Sequence, residues 1–193
     1  MSLTAARTIA KVERAFNNFR TLIWEPIGEI AVEYAETDEH LRSPAEAAHL
    51  SYRPATRGTT WGHAWGNAWF RGTVELPERC NGHEVFVAGL TGGRESLVFV
   101  NGKPAGMLTA TTFGEWGNHA TTRLAPAGAN AGKRIEIAVE SYAWHPSVEC
   151  MPGDPTREQA FAPGQFVKTF QSLELVLRRD DVAQFCIDLY NLL

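Results

Sequence analysis

Apolar residues alternate with polar ones in short runs along most of this chain, and Gly, Pro or Asn punctuates the runs. Ile30, Val32 and Tyr34 oppose Ala31 and Glu33, and Phe70, Val74 and Leu76 alternate up to Pro77. Val85 and Val87 alternate with Glu84 and Phe86 ahead of Gly92-Gly93. Ile135, Ile137 and Val139 do so against Glu136, Ala138 and Glu140, and Leu173, Leu175 and Leu177 against Glu174, Val176 and Arg178. A period of two puts every second side chain on one face, which is the pattern of a half-buried strand. Leu97 to Val100 is apolar on both faces, as in a central strand, and the Asn101-Gly102 that follows is a strong hairpin-turn signal. No helical pattern separates these runs, so they predict an antiparallel β-sandwich.

The two ends read differently. Ile9, Val12, Phe16 and Phe19 recur at helical spacing, Thr4 can cap that helix, and Pro26 ends any continuation. Val182, Phe185, Cys186, Leu189 and Leu192 share the face of a second helix, with Asp180 as its N-cap. The expected organisation is a helical segment over 1–25, the sandwich over 26–178, and the start of a helical linker over 179–193. The polar stretch 36–60, with Pro44, Pro54 and Gly58, is expected to be a long connection. The second helix stops abruptly at Leu193, which suggests a chain cut from a longer polypeptide. Its uncovered apolar stripe is expected to drive self-association, hence a homo-oligomer, or to fray.

Charge and composition remove several function classes. Eighteen basic against 22 acidic residues give a formal charge of −4. With no Lys/Arg run, the chain is a poor partner for nucleic acid or an anionic membrane. Its apolar stretches fall far short of the roughly 20 residues that span a bilayer, and its start lacks the apolar core of a secretory signal. Cys80, Cys150 and Cys186 are odd in number, distant and unpaired by any C-x-x-C, and there is no N-x-S/T sequon. A cytoplasmic location is expected.

The chemistry-bearing residues form no known catalytic pattern. The six histidines never occur as H-x-H or H-E-x-x-H, so no metal site is expected. Gly128 to Lys133 reads G-A-N-A-G-K, one residue short of a phosphate loop, and Arg134 stands where a Mg²⁺-binding hydroxyl belongs. A turn before a strand explains it better. There is no G-x-S-x-G, and none of the cysteines sits in a basic or Gly-rich setting. Glu95, after Gly92-Gly93-Arg94, reads as a solvated strand end. No catalytic residue is assigned.

The most unusual stretch runs from Trp61 to Arg71, with Trp61, Trp65 and Trp69 at intervals of four and Gly62 and Gly66 after the first two. Flat indole rings stack on the C–H faces of pyranose sugars. Tryptophan equally anchors loops onto a sandwich, so both readings stand for Trp61 and Trp65. Trp69 opens a strand and is assigned to the core. Trp116 with Asn118 and His119, and Trp144 with His145, are further aromatic–polar groupings in expected loops. The candidate carbohydrate contacts are therefore Trp61, His63, Trp65, Trp116, Asn118 and His119.

The motif W-G-x-x-W-G-x-x-W-F-R followed by V-E-L-P (Trp61 to Pro77) resembles the N-terminal β-sandwich region of family 38 glycoside hydrolases, the α-mannosidases of bacterial and cytosolic type. Gly93 to Pro104, with its F-V-N-G-K-P, then Asn118-His119, Lys133 to Ile137 and Leu173 to Leu175 continue the likeness in order. Related modules of β-galactosidases and β-glucuronidases share W-[FY]-R and V-N-G-K. The resemblance implies a galactose-binding-like jelly roll ahead of a catalytic domain, which would be this chain's partner. In that family hydrolysis and zinc belong to the later domain, whose H-x-H-x-D-type motif and nucleophilic Asp have no counterpart here. The chain by itself is thus expected to be no enzyme and to need no cofactor. It would help to shape the active-site cleft, assemble subunits or contact saccharide. The alternatives are a free-standing carbohydrate-binding module and a purely structural assembly domain.

Overall fold

The computed structural model describes residues 3–109, 120–144 and 164–193. Helix α1 (Leu3–Phe19) leads through a single 3-10 turn into β1 (Trp24–Glu29) and β2 (Val32–Thr37). After a connection come β3 (Arg53–Ala55), β4 (Thr60–Trp61), β5 (Asn67–Glu75), β6 (Val85–Leu90), β7 (Glu95–Val100) and β8 (Lys103–Thr109). The chain continues with β9 (Thr121–Ala125), β10 (Arg134–Tyr142), β11 (Lys168–Thr169), β12 (Ser172–Arg178) and α2 (Asp180–Tyr190). One sheet has the order β3-β2-β5-β10-β7-β8, the other β1-β12-β6-β9, and β4 with β11 forms a small ribbon. All pairings in the described structure are antiparallel. This is a jelly-roll β-sandwich flanked by two helices.

Alternation explains the core. Val32, Tyr34, Phe70, Val98, Ile135, Ile137 and Val139 point from the six-stranded sheet, and Val85, Val87, Leu173, Leu175 and Leu177 meet them from the four-stranded one. Phe70, fully buried, lies at the meeting point of several segments. Its ring stacks on Tyr34 at 5.8 Å and on Phe170 at 5.2 Å, and Trp61 meets it edge-on at 5.7 Å. Such pairs add to simple area burial because edge and face of an aromatic ring carry opposite partial charge.

Pro26 lies past the end of α1, within β1. Proline is tolerated there because β1 is an edge strand, and the register shifts between Pro26 and Gly28. The connection 36–60 is not merely a link. Ala47, with Leu41, Leu50 and Tyr52 beside it, covers Trp69, Phe99 and Ala138 on the outer face of the six-stranded sheet. That is why Phe99 is buried opposite Val98 and the segment Leu97 to Val100 is apolar on both sides. Asp180 is not the cap of α2; Arg179 is, and Asp180 and Asp181 occupy the first turn. Acidic residues there favour the helix dipole.

The apolar stripe of α2, expected to be uncovered, is partly covered within the chain. Val182 and Cys186 are buried, Phe185 meets Phe19 edge-on at 5.0 Å, and Tyr190 approaches Phe16 at 6.0 Å. Phe19, Phe185, Ile187 and Leu192 still face solvent.

Two local expectations hold. Asn101 and Gly102, at φ of 49° and 77°, make the β7–β8 hairpin turn. The G-A-N-A-G-K stretch is a turn ahead of β10, centred on buried Asn130, which donates to His83 O and Pro126 O and accepts from Lys133 Nζ.

Because Phe70 touches rings from three other segments, Phe70→Ala should destabilise the domain by about 3–5 kcal/mol. Urea unfolding followed by circular dichroism measures this. A loss below about 1 kcal/mol would show that the ring cluster is not the centre of the core.

Candidate functional site at one end of the sandwich

The tryptophan-rich stretch straddles the boundary between the core and one end of the sandwich. Trp61 is 2% exposed, and its Nε1–H donates to Thr91 O at 2.7 Å. It is a loop anchor with no ring face left for a sugar, so its place among the candidate carbohydrate contacts is withdrawn. Trp69 is fully buried, as assigned. Trp65 is the opposite case: it is 59% exposed and held at φ 68°. A bulky side chain in the left-handed region is unusual and persists only where surroundings over-determine it. Here the Trp65 N–H donates to Trp144 O at 3.0 Å and the Ala143 N–H to Gly66 O at 3.0 Å. Trp144 itself has φ 90°.

The two glycines of the motif have steric reasons. Gly62 has φ 86°, its N–H donates to Glu36 Oε2, and a side chain there would meet the Ala143 Cβ at 2.8 Å. At Gly66 a Cβ would lie 2.8 Å from the His63 ring. The imidazole therefore lies across Gly66, and its Nε2 is 2.8 Å from Asp38 Oδ1.

These residues line a depression of about 550 Å³ bounded by Asp38, His40, His63, Trp65, Glu140 and Tyr142. It lies where β2 ends, β5 begins and β10 ends: Asn67 pairs with Thr37 on one side and Tyr142 on the other. Glu140 is half-buried, and burial raises its carboxyl pKa, with His40 opposing the shift. Burial likewise raises the Tyr142 phenol, helped by Glu95. The site thus combines an exposed indole with hydroxyl, imidazole and carboxylate groups, the mixture that stacks on and hydrogen-bonds to a polyol.

A buried polar knot stiffens the floor behind it. The hydroxyls of Thr91, Ser96 and Ser141 lie 2.9 Å from one another, and Gly93 N–H donates to Thr91 Oγ1. Thr91 therefore links the Trp61 indole, the Gly92-Gly93 turn and the ends of β7 and β10. Such a satisfied network rigidifies its neighbourhood.

Of the six sequence candidates, His63 and Trp65 come together here and Trp61 does not. Trp116, Asn118 and His119 lie outside the described residues, as does His145. Asp38, Glu140 and Tyr142 were not anticipated. Their signal was weak: Asp38 stands just past β2, Tyr142 ends β10 and Glu140 lies two residues before it, but which strand ends share an edge depends on the sheet order. Among the described residues no group of three or more His, Cys, Asp or Glu side chains gathers to hold a metal ion.

The fold defines a jelly-roll β-sandwich module. Residues 26–162 match the family described as alpha-mannosidase, jelly roll domain, and the chain belongs to that family. Among solved structures, three crystal structures of β-glucuronidase from Ruminococcus gnavus resemble it at 10% identity. The apo form has a TM-score of 0.51, covering 81% of this chain and 29% of that one. A second structure of the same enzyme scores 0.51 and the complex with D-glucuronic acid 0.50, each covering 80% of this chain and 29% of that one. This likeness shows the fold. The chain spans less than a third of the length of those glucuronidases. Comparison with curated proteins finds no match.

Burial separates the two tryptophans in a measurable way. Trp61→Ala should cost about 3–5 kcal/mol, whereas Trp65→Ala should stay within roughly 0.5 kcal/mol of the parent. Thermal melting of the two variants checks this, and equal losses would contradict the assignment of Trp65 to the surface.

Proposed function

We propose that this domain is the non-catalytic sandwich of an α-mannosidase-type glycoside hydrolase and that its Trp65 end contacts carbohydrate, as one wall of a cleft completed by a following catalytic domain. The observation that carries the reading is the exposed indole of Trp65, fixed at positive φ beside the His63–Asp38 pair, Glu140 and Tyr142. A large apolar ring held in solvent against a strained backbone is poor design for a scaffold alone and suits a stacking surface. In the parent enzyme, retaining hydrolysis of an α-mannoside would proceed through two carboxylates, with zinc, in the other domain. This chain would supply shape and sugar contacts. A cytoplasmic setting fits buried, unpaired Cys80 and Cys186. No helix among the described residues is long and apolar enough to cross a membrane.

A second role, assembly, is favoured by a separate observation. Phe19, Leu22, Phe185, Ile187 and Leu192 expose apolar surface on the helical pair at the opposite ends of the sequence. Covering them against the catalytic domain or another subunit would remove that surface from water.

The chain should show no turnover of aryl α-mannosides, with or without added zinc. Titration with mannose and mannobiose should produce a saturable change in tryptophan fluorescence that Trp65→Ala abolishes. Turnover lost on mutating a residue of this chain would overturn the non-catalytic assignment. Absence of any saccharide response, or a response untouched by Trp65→Ala, would overturn the carbohydrate contact.

A further inference from the structure

In this acidic chain several described arginines on the strands meet carboxylates: Arg53 with Glu36, Arg71 with Glu33, Arg123 and Arg178 with Glu84. Arg94 meets none among the described residues. It is half-buried, and its Nε is shielded from solvent without a hydrogen-bond acceptor. Its guanidinium carbon lies 4.5 Å over the Trp144 ring, and its backbone N–H donates to Tyr142 O at 3.0 Å. A partly desolvated cation lacking an acceptor is costly, and stacking on an indole offsets only part of that cost.

A second cation stands beside it. Gly92 lies against the Thr169 backbone, where an added Cβ would come within 2.5 Å of Thr169 O. This contact brings the Gly92-Gly93-Arg94 turn alongside β11 and its half-buried Lys168. Lys168 also lacks a carboxylate partner among the described residues. Burial lowers the pKa of its ammonium, and the nearby Arg94 charge lowers it further. Two partly buried cations on neighbouring segments, with no carboxylate partner among the described residues, repel one another unless an anion joins them. The Thr91–Ser96–Ser141 knot holds Gly93, the residue before Arg94, through the Gly93 N–H to Thr91 Oγ1 bond. Arg94 stacks on Trp144, whose O accepts the Trp65 N–H, and Lys168 pairs in register with Trp61, so each lies toward the end of the sandwich that carries the Trp65 depression.

We propose that Arg94 and Lys168 form an anion-recognition point that takes the carboxylate or phosphate of an acidic saccharide. Arginine's planar fork binds either oxyanion through two parallel N–H donors, and lysine adds a point charge. The inference rests on the saccharide reading only for the sugar ring; the oxyanion contact is tested separately with inorganic phosphate.

The experiment titrates the isotope-labelled chain, at low salt, with inorganic phosphate, glucuronate, mannose 6-phosphate and neutral mannose. NMR reads Arg94 Nε and Lys168 Nζ. All three anions should shift both signals, and mannose should leave them in place. The Lys168 pKa should rise once the anion is bound, because a counter-charge favours the ammonium. Arg94→Gln and Lys168→Met should each weaken anion binding by about tenfold or more. Lys168→Met, at a half-exposed position, carries the test should Arg94→Gln fail to fold. Tighter glucuronate binding assigns a carboxylate source, and tighter mannose 6-phosphate binding a phosphate source. Inorganic phosphate bound with neither acidic sugar would overturn the saccharide class. No shift with any anion, or unchanged affinity in the variants, would overturn the site. Trp65→Ala that abolishes the mannose response but keeps phosphate binding would separate this site from the stacking surface.

Discussion

Phe70 is the residue on which the other parts of the molecule converge. It stands in β5, between β2 and β10, so its backbone belongs to the middle of the larger sheet. Its ring gathers Tyr34 from β2, Trp61 from β4 and Phe170 from the short link between β11 and β12. Those last two contacts matter for function. They tie down the segments that would otherwise be loops at one end of the sandwich, and from Trp61 the chain passes directly into the Gly62–Gly66 turn. The indole N–H of Trp61 then reaches Thr91, whose hydroxyl joins Ser96 and Ser141. Packing at the centre is thereby converted into a fixed backbone at the edge.

That rigidity explains how an exposed tryptophan can be held in an unfavourable conformation. Trp65 and Trp144 both have positive φ, and the backbone bonds between their two segments hold them in place. In a loose loop either residue would relax to an ordinary conformation at a gain of order 1–2 kcal/mol. Strain maintained against such a gain, with one ring left in water, is the arrangement expected of a surface organised for contact before a ligand arrives. The same end carries the half-buried carboxyl of Glu140 and the cations Arg94 and Lys168, so it offers hydrogen-bonding and charge as well as a stacking face.

Much of the sandwich was legible because period-two alternation survives in β5, β6, β10 and β12. The aromatic motif and the F-V-N-G-K segment also carried the family. The lid of Leu41, Ala47, Leu50 and Tyr52 was not legible, since a short 3-10 turn and a three-residue strand leave no periodic trace. Nor was the burial of Trp61, which lies in a two-residue strand. Sequence placed Trp69 in the core but could not separate Trp61 from Trp65, because the spacing of four carries no strand period and the segment is a strand, a turn and another strand. Each indole therefore has a different environment. Asp38 and Glu140 carry no motif of their own and line one depression only when β2, β5 and β10 line up in one sheet.

The central claim is that a rigid core presents one end of the sandwich as a saccharide-contacting surface, and amide hydrogen exchange with and without mannobiose tests it most directly. In the free chain, amides of β5 and β10 should exchange slowest because both strands are paired on two sides. Added saccharide should slow exchange further only at residues 62–66 and 140–144. Protection spread evenly over both sheets, or confined to the outer face beneath Ala47 and Tyr52, would contradict the account.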